Sequence, residues 1–483
     1  MPHAETVAGR DSGKSRSLKH LGGVWVGKTI AGLTRITGRG GTTLPGRTAL
    51  KFAPDILSYL GRQLAHGSLV VTGTNGKTTT AHLLTGILRE AGYLCVHNQS
   101  GSNLSWGVVS SLISASTWGA SLPANIGVME VDEGAFPFVA GELQPRGAVV
   151  TNIYRDQLDR FGEIDYIQKK IKSGLDALPA ESFQVLNADD PSLAGLPGDR
   201  SGTTWYYGLE LELPPDRFQN TARDIKSCPR CHHRLHYDRV YFAHLGHYRC
   251  PRCDFSRPEP DVVLVDRSVR EDGQTVLKLR LQGDPLELAY PLLGTYNLYN
   301  ALAAVTCARA LNVPLEAITA ALAAATPSFG RMERFTMEGR TLVMALVKNP
   351  VGANEVLRTL MERRGQIHLL IAINDKIADG TDISWLWDVD FEQLASSGER
   401  LAPVVVSGQR AWDMAVRLKY AGIDPGSIIT AENSRQAILR ALELTPPGEI
   451  LFIMPTYTAM FDLRRTLNAM GVGRPYWEGS ANG

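Results

Sequence analysis

Leu69-Val70-Val71-Thr72-Gly73-Thr74-Asn75-Gly76-Lys77-Thr78-Thr79 leads from an apolar run, through a glycine loop, into a stretch with apolar residues at Ala81, Leu84, Leu88 and Ala91. That order is strand, loop, helix. Backbone N–H groups in such a loop and at the following helix N-terminus converge and carry positive potential, so they hold phosphates. Lys77 can reach the outer phosphates of a nucleotide, and the Thr78 hydroxyl can ligate the magnesium ion that accompanies them. Val71 stands where the first glycine of the full phosphate-loop pattern would fall.

Working outward, similar apolar runs are expected as strands at 68–72, 126–131, 147–153, 342–347, 367–373, 402–406 and 449–454, with helical stretches between them. Alternation of this kind predicts parallel sheets covered by helices on both faces. A chain of 483 residues has room for about three domains. We divide it into a tail and glycine-rich arm (1–52), a central nucleotide-binding domain (53–335) and a C-terminal Rossmann-like α/β domain (336–483). Within the central domain an insertion at 222–256, rich in Cys, His, Arg and Tyr, interrupts the pattern, and an Ala- and Leu-rich helix follows at 297–311.

A formal net charge of +1 gives no global field for nucleic acid or anionic membranes. No apolar run approaches the roughly 20 residues of a membrane span, and residues 1–20 lack the apolar centre of a secretory signal. Four of the six cysteines cluster, which points to a metal site in a reducing cytoplasm rather than a disulfide framework. Cys228-Pro229-Arg230-Cys231 and Cys250-Pro251-Arg252-Cys253 are two C-x-x-C knuckles separated by 18 residues. Such spacing sets four thiolates around a structural zinc ion with no open position. The surrounding histidines are surplus to it.

Glu130 closes an apolar run and is placed to serve as a second magnesium ligand near the loop. The next strand ends in Thr151-Asn152-Ile153-Tyr154-Arg155-Asp156-Gln157-Leu158-Asp159, and Asn187-Ala188-Asp189-Asp190, Gly294-Thr295-Tyr296-Asn297-Leu298-Tyr299-Asn300 and Gly330-Arg331-Met332-Glu333 follow in order. In this series the chain resembles the Mur ligases, which activate a carboxylate with ATP and join it to an amine. The resemblance implies a Mur-ligase-like fold, ATP and Mg2+ as cofactors, Asn297 and Asn300 facing the nucleotide, and Arg331 reaching its phosphates. Three departures stand out. Gln157 replaces a metal-binding histidine, Ile171 falls where amino-acid-adding members carry a carbamylated lysine, and Ala345-Leu346-Val347-Lys348-Asn349-Pro350 replaces the usual opening of the C-terminal domain. They argue for a different amine.

Asn374-Asp375-Lys376-Ile377-Ala378-Asp379-Gly380-Thr381-Asp382-Ile383-Ser384-Trp385-Leu386-Trp387-Asp388 follows an expected strand and mixes four aspartates with two tryptophans, as an interface with a functional acid does. With the four-cysteine ribbon and Lys348-Asn349-Pro350-Val351-Gly352, it is similar to one Mur subgroup, the MurT subunits of lipid II isoglutaminyl synthase. That likeness implies a glutamine amidotransferase partner (GatD-like), amidation of the α-carboxylate of D-glutamate in the stem peptide of lipid II, and Asp382 completing the partner's Cys-His pair. It also implies a cytoplasmic ligase, brought to the inner membrane face by its substrate. From the residues alone, Cys95 and Cys307 read as core, so the chain lacks a glutaminase nucleophile of its own. The alternatives are a self-sufficient amino-acid ligase of Mur or folylpolyglutamate type, and a zinc-ribbon NTPase that binds nucleic acid.

Overall fold

The computed structural model describes residues 18–36, 43–98, 102–154, 164–196, 202–212, 225–270, 274–292, 294–327, 330–363 and 365–472. Most of the tail, Gly38–Thr42 of the arm and the Arg155–Asp159 part of the third motif, with Gln157, lie outside them.

The central sheet is built from β1 (Ser68–Thr72), β2 (Cys95–His97), β3 (Ile126–Glu130), β4 (Gly147–Val150), β5 (Phe183–Asn187), β6 (Thr204–Leu209), β9 (Val262–Val269), β10 (Thr275–Leu281) and β11 (Asp284–Ala289). Between β6 and β9 comes a separate hairpin of β7 (His236–Phe242) and β8 (Leu245–Arg249). The sheet order is β11-β10-β9-β6-β5-β4-β1-β3-β2. From β2 to β9 every pairing is parallel, and β9, β10 and β11 add an antiparallel meander. β1, β3, β4 and β5 are buried along their whole length, as expected of parallel strands with helices on both faces. One face is packed by the helices Lys77–Glu90 and Thr295–Ala310, the other by Ser105–Ala115, Phe136–Leu143 and Ile164–Asp176.

The second sheet has the order β12-β13-β17-β14-β15-β16, from β12 (Arg331–Met337), β13 (Arg340–Ala345), β14 (His368–Ala372), β15 (Val404–Ser407), β16 (Ile428–Thr430) and β17 (Ile450–Pro455). Only β12 runs antiparallel. The second sheet therefore starts at Arg331, ahead of the division expected at 336.

The segment read as an arm contains two helices, Leu18–Ile36 and Leu44–Phe52, with Val24, Ala49 and Ala53 fully buried. Among its described glycines, Gly23, Gly27 and Gly46 serve close packing. A Cβ on Gly46 would collide with the Trp106 carbonyl, so absence of a side chain lets this helix lie directly on Ser105–Ala115. Composition alone reads such glycines as loop.

Candidate active site

Gly76 enters the helix Lys77–Glu90 with φ 88°, and a Cβ there would strike the Asn300 side-chain oxygen. Glycine is required twice over, by its own backbone and by its neighbour. Asn75 beside it is held by the end of β4: its N–H donates to Asn152 Oδ1 at 2.9 Å, and its carbonyl accepts from Thr151 Oγ1 at 2.7 Å and Asn152 Nδ2 at 3.0 Å. Tyr154 N–H donates to Thr74 Oγ1 at 3.0 Å. Asn300 Nδ2 donates to Asn297 Oδ1 at 3.3 Å, with both residues buried at the start of their helix. The loop is preorganised by residues from two other segments of the chain.

The charges beside it form one buried group. Thr78 Oγ1 donates to Glu130 Oε1 at 3.0 Å. Asn98 clamps Glu130 by accepting its N–H and donating to its carbonyl, both at 2.7 Å. Glu130 Oε2 is buried with no hydrogen-bond partner. Burial pushes the Glu130 carboxyl above its usual range, while the Lys77 charge pulls the other way. Lys77 Nζ lies 3.3 Å from Glu133 Oε2 and donates to the Gly73 and Thr74 carbonyls. Glu133, which sequence reasoning did not select, is likewise pushed up by desolvation against the opposing Lys77. The Thr78 hydroxyl and the unbonded Glu130 oxygen are hard oxygen donors and fit a magnesium ion. Lys77, at 7% exposure, is not the surface lysine a simple glycine turn would carry.

Beside this group, along the same loop, lies a cleft between the two domains, lined by Asn75, Gly76, Tyr296, Tyr299, Arg331 and Phe242 among others. Arg331 and Lys348, both at the start of the C-terminal domain, bring positive charge toward Glu130. Asn349 exchanges amide hydrogen bonds with Asn75, at 3.1 and 3.3 Å, and caps the helix Pro350–Met361 by accepting Gly352 N–H at 2.8 Å. Glu333 of the Gly-Arg-x-Glu motif pairs with Arg464. Asn349, Glu133 and Phe242 were not foreseen as site residues. Only the N-cap pattern Asn349-Pro350 carried a local signal.

In the ribbon, the ligand atoms of Cys228, Cys231, Cys250 and Cys253 lie within 4.8 Å of one another. Arg230 N–H and Arg252 N–H point at the Cys228 and Cys250 sulfurs, both at 3.4 Å, which favours thiolates there. The donor set fits a four-thiolate zinc ion. None of the ribbon histidines belongs to this set, and His244 is fully buried against Asp190. Of the other thiols, burial pushes Cys95 up to about 11 and Cys307 higher still.

On the C-terminal domain, Asp379 is buried and accepts from the Thr458 N–H and hydroxyl, both at 2.6 Å. It is a structural latch. Asp382 is partly exposed, and its carboxylate accepts the local Ser384 N–H at 2.8 Å. Trp385 packs toward the domain core, whereas Trp387 is 56% exposed and meets the Tyr420 ring at 5.8 Å.

Residues 71–228 match the Mur ligase middle domain and residues 346–460 the MurT ligase C-terminal domain. The subunit MurT of lipid II isoglutaminyl synthase (glutamine-hydrolyzing) from Streptococcus pneumoniae is 33% identical over 460 residues, covering 95% of this chain and 99% of that one. The chain belongs to the MurT family. Its Staphylococcus aureus relative of the same description is 33% identical over 435 residues, covering 90% and 94% of the two chains. A pseudomurein peptide ligase type C from Methanothermus fervidus shares the fold, with a TM-score of 0.63 at 21% identity over 85% of this chain and 80% of that one. As a MurT-family member the chain is an ATP-dependent ligase, and magnesium accompanies the nucleotide in this family. Ile171 is fully buried in the core, Lys172 pairs with Asp176 at 2.9 Å and Lys170 lies over the Tyr166 ring, so neither lysine takes its place. Among the described residues no helix is long and apolar enough to cross a membrane.

Proposed function

We propose that this chain is the ligase subunit of a two-protein amidating enzyme. Its substrate is the α-carboxylate of D-glutamate in the stem peptide of lipid II, and its nitrogen comes as ammonia from a class I glutaminase partner. The observation that carries the ligase half is the buried Thr78–Glu130–Lys77 group at the phosphate loop, with an unbonded carboxylate oxygen aimed at the metal position. ATP with magnesium supplies the γ-phosphoryl group. A substrate carboxylate oxygen bonds to the γ-phosphorus as the bond to ADP breaks, giving an acyl phosphate. Ammonia then bonds to the acyl carbon, phosphate leaves, and the amide nitrogen sheds a proton. Lys77 and Arg331 neutralise charge building on the transferring oxygens, and the Thr74–Gly76 backbone fixes their position.

The partner half is supported by the thiol inventory. A glutaminase needs a thiolate beside a histidine, and burial holds Cys95 and Cys307 as thiols. Asp382 offers its carboxylate from a partly exposed loop, next to exposed Trp387 and the Trp412, Val416 and Tyr420 stripe of the helix Ala411–Tyr420. An apolar surface beside a free acid suits a docked partner whose histidine needs orienting. The buried Ile171, in place of a lysine, disfavours the self-sufficient amino-acid ligase.

Asp382→Asn in the assembled complex tests the assignment. Glutamine-driven amidation should fall by about 10²–10⁴-fold, while amidation with added ammonium and pairing with the partner persist. Equal loss of both reactions would move Asp382 into the ligase site. Wild-type protein that uses glutamine without any partner would refute the two-protein reading.

A further inference from the structure

In the Asn187-Ala188-Asp189-Asp190 motif, behind the segment that holds the phosphate loop, both aspartates are fully buried. Asp190 accepts from Ile153 N–H at 3.0 Å and Ser192 N–H at 2.9 Å, and meets His244 Nε2 at 3.2 Å. Asp189 accepts Gly246 N–H on its carbonyl at 3.0 Å, while its carboxylate binds Arg257 at 2.6 Å and the Tyr299 hydroxyl at 2.7 Å. The Tyr248 hydroxyl reaches the Ala188 carbonyl at 3.0 Å. His244, Gly246 and Tyr248 all belong to the β7–β8 hairpin. The motif is a socket, and the tip of the cysteine ribbon is plugged into it.

What the plug delivers is Phe242. Its ring lies 5.7 Å from Tyr299 and 6.0 Å from Tyr154, and it walls the same cleft as Asn75, Gly76 and Arg331. The adjoining Tyr241 carbonyl accepts from Arg358 Nη1 of the C-terminal domain at 3.0 Å. At the hairpin's other end the apolar core holds Cys228, Leu235, Tyr248, Cys250 and Phe255, and two of these five are metal-ligand candidates. So small a core depends on its metal for order.

We propose that Phe242, seated in the main core beside Tyr154 and Tyr299, packs against the base of the bound nucleotide, and that the metal of the four-cysteine site steadies the hairpin that carries it, through Tyr248, so that nucleotide affinity follows metal occupancy. The inference rests on reading the cleft as the ATP site. An aromatic wall favours a flat purine, and losing such a contact costs about tenfold in affinity or more.

The test titrates a non-hydrolysable ATP analogue into the full-length protein by calorimetry, with zinc content measured in parallel. Phe242→Ala should bind about tenfold more weakly while keeping its zinc. Phe242→Leu, which keeps the apolar contact and spares the hairpin, should show a smaller loss. Stripping zinc from native wild type with a chelator should weaken binding as Phe242→Ala does, and stripping the variant should add little. Unchanged affinity in Phe242→Ala, or equal weakening of both proteins on stripping, overturns the inference alone. Wild-type protein that binds no analogue overturns the ATP reading and the inference together.

Discussion

Lys77 serves two masters. In the proposed reaction it is the charge for a transferring phosphoryl group, and in the fold it is the counter-ion of buried Glu133. Lys77→Met should therefore lower ATP-dependent turnover by at least about 100-fold and also destabilise the fold by about 3 kcal/mol, because it strands a buried carboxylate. Adding Glu133→Gln should recover most of the stability and none of the turnover. Calorimetry on the four proteins of this cycle checks it, and a double variant as unstable as the single one would refute the pairing. Glu130 gives the opposite signature. Burial raises its pKa in the folded state, so folding favours the protonated form, and ionising it costs stability as pH rises from the ordinary carboxylate range upward. Glu130→Gln should thus melt higher than wild type at pH 8, with the difference vanishing toward pH 4, while magnesium-dependent nucleotide binding is lost. A variant that melts lower at pH 8 would show that the carboxylate is stabilising there. The loop residues and Glu130 could be picked out in the chain because they sit in short motifs. Glu133 could not, since its role depends on which way a turn folds back onto the loop.

The strands that are short apolar runs were legible, and β1, β3 and β14 fall within a residue of where such runs place them; β7 and β12, which mix charged and apolar residues, were not. The leading helices were not, because glycine signals a loop to any local reading, while the reason for Gly46 is a carbonyl on a helix some sixty positions further on. Phe242 was hidden for the same cause: nothing near it in sequence reveals that a ribbon hairpin reaches the cleft between the domains. The helix Pro350–Met361 shows how an element can couple domains. Its cap, Asn349, is also the partner of Asn75 in the loop. Asn349→Ala should cost about 1 kcal/mol of stability through the lost cap. It should also weaken nucleotide binding several-fold, by freeing the loop from the C-terminal domain. Asn349→Asp, which retains the cap, should restore stability without restoring affinity. Melting curves and analogue titrations would separate the two effects, and affinity that follows stability would refute the coupling.

Across the whole molecule, two sheets meet at one cleft, and the loop with Asp382, proposed to face the partner, lies on the second of them. Trp412→Glu with Tyr420→Glu should abolish co-purification with a glutaminase while leaving ammonium-driven amidation intact, since these exposed side chains touch neither phosphate loop nor cleft. Retained pairing would place the partner elsewhere. The order of the central sheet has a consequence for how the chain comes to be folded at all. β6 and β9 are parallel neighbours, yet residues 210–261, the ribbon among them, separate them in the chain. A helix ordinarily makes such a crossing. Here the described part of the crossing holds the β7–β8 hairpin and the four cysteines, so, on the reading that these bind zinc, β9 to β11 emerge on the ribosome with no short path back to the sheet until the ion is captured. Zinc supply during synthesis then becomes a question of yield. A cell starved of the metal would accumulate chains whose first six strands are complete and whose sheet edge is bare.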